Sequence, residues 1–144
     1  MSLLKISNLN AFYDNSQVLF NLNINITEGK IIALLGRNGA GKSSTFKAIT
    51  GMIQVKSGSI FLKEKNLTDM PTNKRALAGI GYVPEDRQVF PEHSVEENID
   101  LGKKLNSDIK NSWGKDKIWE TFPVLYNLKK DGHYYGLKKS DMKK

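Results

Sequence analysis

Gly36-Arg37-Asn38-Gly39-Ala40-Gly41-Lys42-Ser43, set directly after the apolar run at 31–35, decides how this 144-residue chain is read. It has the form GxxxxGK[ST]. A buried strand that ends in a glycine-rich turn and opens a helix aims several backbone N–H groups at one point, and the helix dipole adds partial positive charge there. Phosphate is the ligand such a loop suits. Lys42 would reach the outer phosphates, the Ser43 hydroxyl would hold magnesium, and glycines at 36, 39 and 41 let the backbone approach without a Cβ in the way. The competing reading is a glycine-rich turn that binds nothing. The legible strand before the loop and helix after it favour nucleotide.

Length and composition narrow the field. A chain of 144 residues is long enough for one domain with a real core and too short to expect two. No apolar run approaches the ~18 residues of a membrane span, and Lys5 and Asn8 interrupt the N-terminus before a signal-peptide core could form. A soluble, intracellular chain is expected. Without cysteine there are no disulfides or thiolate metal sites. The net charge of +7 raises nucleic acid as a partner. Much of it lies in a lysine-rich tail, where Lys129, Lys130, Lys138, Lys139, Lys143 and Lys144 face only Asp131 and Asp141. No aromatic stacking pattern or base-reading helix accompanies that tail, so nucleic acid is not expected.

Residues 3–13 and 18–27 interleave apolar and polar side chains, as in Leu22, Ile24 and Ile26 against Asn21, Asn23 and Asn25, and read as half-buried strands around a turn at Asp14-Asn15-Ser16. Glu28-Gly29-Lys30 turns into the strand at 31–35. Residues 43–50 read as a helix stopped by Gly51. Ser57-Gly58 marks a turn before a short strand at 59–62, and 71–78 a brief basic helix ended by Gly79. Ser94-Val95-Glu96-Glu97 is a capping box opening a helix to about Lys104. From Trp113, the residues Ile118, Trp119, Phe122, Leu125 and Tyr126 recur at helical spacing, with Pro123 restarting the helix. The pattern dissolves past Leu128, giving an ordered part at 1–128 and a poorly ordered tail at 129–144.

Three segments together resemble the nucleotide-binding subunit of ABC transporters: ALLGRNGAGKSSTFKAITG at 33–51, SGSIFL at 57–62 and GIGYVPEDRQVFPEHSVEENIDLG at 79–102. The run YVPEDR…FP…SVEENI is most similar to the second ATPase of branched-chain amino acid importers, with amide and urea importers close behind. The resemblance implies an α/β fold, the N-terminal part of a P-loop (RecA-like) domain with an antiparallel β subdomain. It implies ATP and Mg2+ as cofactors and a place in the cytoplasm, peripheral on the inner face of the cell membrane. It further implies membrane-spanning permease subunits and a second ABC ATPase subunit as partners, in a homo- or heterodimer.

By position, the resemblance implies that Tyr13 stacks on adenine and that Gly36, Arg37, Asn38, Gly39, Ala40, Gly41, Lys42, Ser43 and Ser44 hold the phosphates. Ser44 would add a hydroxyl or backbone N–H to the α-phosphate. The family's glutamine that contacts magnesium and the attacking water is here Glu85, which can hold magnesium through oxygen but cannot donate an amide hydrogen bond. Ser43 and Glu85 are thus the implied metal ligands. Asp86 and Arg87 belong to a turn on the permease-facing surface with Phe90 and Pro91 packed beneath, or to an ordinary charged turn. His93 reads as a surface turn residue, His133 lies in the tail with no legible partner, and Trp113 and Trp119 read as packing residues rather than a ligand platform.

Residues 80–86 could instead be a strand ending in two magnesium-binding carboxylates. Gly81 and Pro84 argue against a central strand there. The resemblance also implies an LSGGQ-type signature, a strand ending in Asp-Glu and a later histidine, and none occurs through Lys144. No complete catalytic set is therefore expected, and turnover by the chain alone should be negligible. Two other classes stay open: a non-catalytic ATP-binding or permease-docking protein, and a small stand-alone P-loop enzyme such as a nucleotide kinase.

Overall fold

The computed structural model describes residues 2–86, 88–104 and 113–129, and the chain divides into two compact units, Met1–Tyr82 and Val83–Lys144. The tail expected to be poorly ordered lies outside the described residues, apart from Lys129.

In the first unit, β1 (Ser2–Tyr13) and β2 (Ser16–Thr27) form a long antiparallel hairpin. Then come α1 (Lys42–Thr50), β3 (Gln54–Leu62), a two-residue β4 (Lys65–Asn66) and α2 (Thr72–Leu77). The sheet runs β2-β1-β3-β4, all antiparallel. Ile6 lies between Ile24 and Ile60, and Leu4 between Ile26 and Leu62, so cross-strand apolar rows build the sheet.

The buried side of β1 carries Leu4 and Ile6, then Leu9 and Ala11. The switch from even to odd positions marks an extra residue, since alternation alone would turn Leu9 to the other face. Asn8 (φ +50°), Asn21 (φ +48°) and Gly58 (φ +91°) take left-handed conformations on three adjacent strands, where both pairings shift register. Asparagine side chains close the gaps. Asn8 N donates to Asn23 Oδ1 (2.9 Å), while Asn10 Oδ1 accepts from Gln17 Nε2 (2.9 Å) and from Asn21 N (3.0 Å). Ala48 of α1, Ile53, Ile60 and Leu67 complete the core, each side chain contributing about 1–3 kcal/mol by leaving water.

Two expectations change here. Ser57-Gly58 is not a turn but part of β3, because a left-handed glycine inside a strand makes a bulge when a partner strand lies alongside. Residues 31–35 form no strand: Ile31 is fully exposed and Leu35 87% exposed. A strand exists only by pairing, and no described segment pairs with this one. Residues 80–86 likewise carry no strand.

The second unit holds α3 (Val95–Lys104), α4 (Lys115–Thr121) and α5 (Pro123–Asn127). The capping box forms as expected: Ser94 N donates to Glu97 Oε2 (2.7 Å) and Glu97 N to Ser94 Oγ (3.2 Å). Asn98 ties the preceding turn to α3, donating through Nδ2 to the carbonyls of Phe90, His93 and Ser94 and accepting from Phe90 N. Lys115 bridges Glu96 and Asp100, both at 2.7 Å, which fastens the start of α4 to α3. Pro123 restarts the helix, and Trp119 meets Tyr126 edge-on at 6.2 Å.

A candidate phosphate-binding site

The glycine-rich loop ends in Gly41, the N-cap of α1, at φ +87°. Gly39, two residues earlier, is at φ +84°. A Cβ on Gly41 would lie 3.1 Å from Leu19 Cδ2, so this residue both turns the chain and seats the loop against β2. No side chain caps α1. Among the described residues, Thr45 N is the first α1 amide recorded with a backbone partner, donating to Gly41 O at 2.8 Å. The amides ahead of it are the helix's orphan donors, at its positive end.

Lys42 folds back over the loop. Its Nζ donates to the carbonyls of Gly36 and Arg37, both at 2.8 Å, holding the ammonium against the loop from which the orphan amides start. An ammonium has a third donor to offer. Ala40 N donates to Arg37 O (3.1 Å) and tightens the turn, while Asn38, Gly39, Ala40 and Ser43 are exposed and Ser44 is half-buried. The chemistry of this loop suits a phosphate chain: orphan helix amides, a cation and a small-residue backbone lie within one short stretch. Ser43, in the first turn of α1, can offer a hydroxyl oxygen to a magnesium ion that arrives with the phosphates. Among the described residues, no group of three or more His, Cys, Asp or Glu side chains forms a metal site of its own.

Tyr13 ends β1 and is 37% exposed, with Lys47 Nζ 5.6 Å from its ring centroid, within cation–π range. The ring is thereby tied to α1, the helix that begins with Lys42. Sequence reasoning missed Lys47, whose one signal is its position a helical turn after Ser43. Glu85 belongs to the second unit, exposed in a turn with Asp86, whose Oδ2 accepts from Gln88 Nε2 at 2.7 Å. Arg87 lies outside the described residues. Phe90 and Pro91 do not pack beneath that turn: both are exposed, Phe90 standing 5.7 Å from the His93 ring.

The family described as ABC transporter matches residues 19–139, most of the chain and the whole of the phosphate loop. This chain belongs to that family. Among its ABC relatives, it is 32% identical over 123 residues to the high-affinity branched-chain amino acid transport ATP-binding protein BraG of Pseudomonas aeruginosa, covering 85% of this chain and 53% of BraG. It is 34% identical over 97 residues to the lipopolysaccharide export system ATP-binding protein LptB of Acidithiobacillus ferridurans, covering 67% of this chain and 40% of LptB. A solved ATP-binding subunit of an ABC transporter superposes with a TM-score of 0.73 at 27% identity, over 88% of this chain and 53% of that one. The chain thus spans about half the length of the ABC proteins it matches. Its fold is the corresponding α/β fragment with the antiparallel sheet.

Proposed function

We propose that this chain is the N-terminal nucleotide-binding half of an ABC transporter ATP-binding subunit and takes up ATP with Mg2+ on its glycine-rich loop. One observation carries the reading: Lys42 Nζ is held on the Gly36 and Arg37 carbonyls beside the uncapped start of α1. Lys42 would hold the outer phosphates, the amides around Gly41 and Ser44 the inner ones, and Tyr13 the adenine ring. Magnesium would supply charge neutralisation to the phosphates, and the Ser43 hydroxyl would hold it; the resemblance implies a magnesium-ligand role for Glu85 as well. Because residues 1–144 hold no counterpart of the family's Asp-Glu strand end, whose general-base contribution is typically ~10²- to 10⁴-fold, we expect negligible turnover from these residues alone.

For the transported solute, import of branched-chain amino acids is our first reading, supported by the YVPEDR…FP…SVEENI run and by the name of BraG; the name of LptB favours lipopolysaccharide export instead. The partners we propose are a membrane-spanning permease and a second ABC ATPase subunit, which would place the chain at the cytoplasmic face. No helix among the described residues is long and apolar enough to cross a membrane. Permease docking without hydrolysis is a second reading. An apolar groove of about 540 Å³ in the second unit favours it, lined by Val89, Phe90, Val95, Ile99, Leu101 and Leu125 among others. A stand-alone P-loop enzyme needs residues 80–86 to deliver a carboxylate from a strand, and they form none.

Titration calorimetry of the full chain with Mg-ATP tests the first reading. We expect measurable binding that Lys42→Ala weakens at least about tenfold, as loss of a charge-assisted phosphate contact predicts. Equal affinity in the two proteins would sink it.

A further inference from the structure

Arg75, in α2, is only 3% exposed, and among the described residues no ion pair is recorded for it. Its guanidinium is satisfied by four main-chain carbonyls. Nε donates to Met70 O (2.6 Å), Nη1 to Ala48 O (2.7 Å) and Ile49 O (2.9 Å), and Nη2 to Thr68 O (2.9 Å). Burial lowers its pKa, and Asp69 partly offsets that. Ala48 and Ile49 belong to the last turn of α1, where helix carbonyls lack intrahelical partners and a cation is favoured. Gly51, just beyond, leaves the space: a Cβ there would come 2.9 Å from Arg75 Nε. Thr72 Oγ1 adds a bond to Gly51 O at 3.0 Å. The 68–75 segment therefore grips one end of α1, and Lys42 and Ser43 stand at the other.

We propose that Arg75 is a positioning residue for the phosphate loop: by holding the C-terminal carbonyls of α1 it fixes where Lys42 and Ser43 stand, and through them the loop's affinity for a triphosphate. This rests on the nucleotide-binding reading above. A nine-residue helix is about 13 Å long and moves as a rod, so freeing one end displaces the other. A displacement of ~1 Å is enough to cost a positioned contact most of its worth. Lysine cannot replace the arrangement fully, because one ammonium has three donors and no planar fork to span four carbonyls.

The test uses the full chain, titrated with Mg-ATP and with Mg-tripolyphosphate, at a temperature where far-UV circular dichroism shows each variant as folded as the wild type. R75M should weaken both ligands by the same factor, about tenfold, and R75K by less. A purely structural role would lower the melting temperature and leave the affinity of the folded protein unchanged. If R75M does not reach the wild-type signal, R75K and R75Q, which keep donors, carry the comparison. Folded Arg75 variants that bind both ligands like the wild type overturn the proposal while the nucleotide reading stands. A wild type that binds neither ligand, or a K42A that binds as tightly, overturns both.

Discussion

A Cβ on Gly58 would lie 2.5 Å from Asn8 O and 2.6 Å from Leu9 Cα, both backbone atoms that cannot swing aside. With φ at +91° as well, Gly58→Ala should cost roughly 1–3 kcal/mol of stability, read from the urea midpoint. Lys115 offers a pH test. Hydrogen bonds to Asp100, and secondarily to Glu96, raise its pKa above the ordinary lysine value. A raised folded-state pKa gives stabilisation that is complete below the unfolded value and lost as pH rises through the folded one. Deprotonation of Lys115 should therefore loosen the α3–α4 link as the pH rises into the alkaline range. Tryptophan fluorescence against pH should show a transition in the wild type that Lys115→Met lacks; identical curves would count against it. Of the candidate site, the run from Gly36 to Ser44 was legible because phosphate chemistry demands fixed residue types at fixed spacing. Lys47 and Arg75 were not, since long cationic side chains act on partners that only the fold brings near: Tyr13 in one case, Ala48 and Ile49 in the other.

Caps and breakers write helix ends into the chain itself. Ser94 with Glu97, Gly51 and Pro123 each marked a boundary that the structure keeps, because every one acts within a few residues. Removing the Ser94 hydroxyl in Ser94→Ala should cost about 1 kcal/mol and raise amide exchange in the first turn of α3. Unchanged exchange at Glu96 and Glu97 would show that Asn98 alone holds that end. Strands obey a different logic. Ser57-Gly58 looked like a turn since a turn and a bulge use the same residues, and only β1 alongside tells them apart. The run at 31–35 reads as a strand for its apolar content, yet being a strand is a property of two segments.

That unpaired run matters for the molecule as a whole. Ile31, Ile32 and Leu35 are exposed side by side, an apolar strip whose backbone has no recorded strand partner among the described residues. The chain should associate with rising concentration despite its net charge of +7. Sedimentation velocity should show the weight-average mass rise, and Ile31→Lys with Leu35→Lys should hold it at the monomer. A wild type that stays monomeric would contradict this. The sheet topology also bears on how the chain folds. β1 meets β2 across Asp14 and Asn15 alone, a local contact that hairpins form in about 1–10 μs. It meets β3 only after everything from Asp14 to Ile53 has been looped out, and that loop contains β2, the glycine-rich turn and α1. Closing a long loop is the entropically slow step in a fold of this kind. The segment we assign to phosphate is therefore part of the one whose closure sets the folding rate, and substitutions in β3 should slow refolding more than those in the β1–β2 turn.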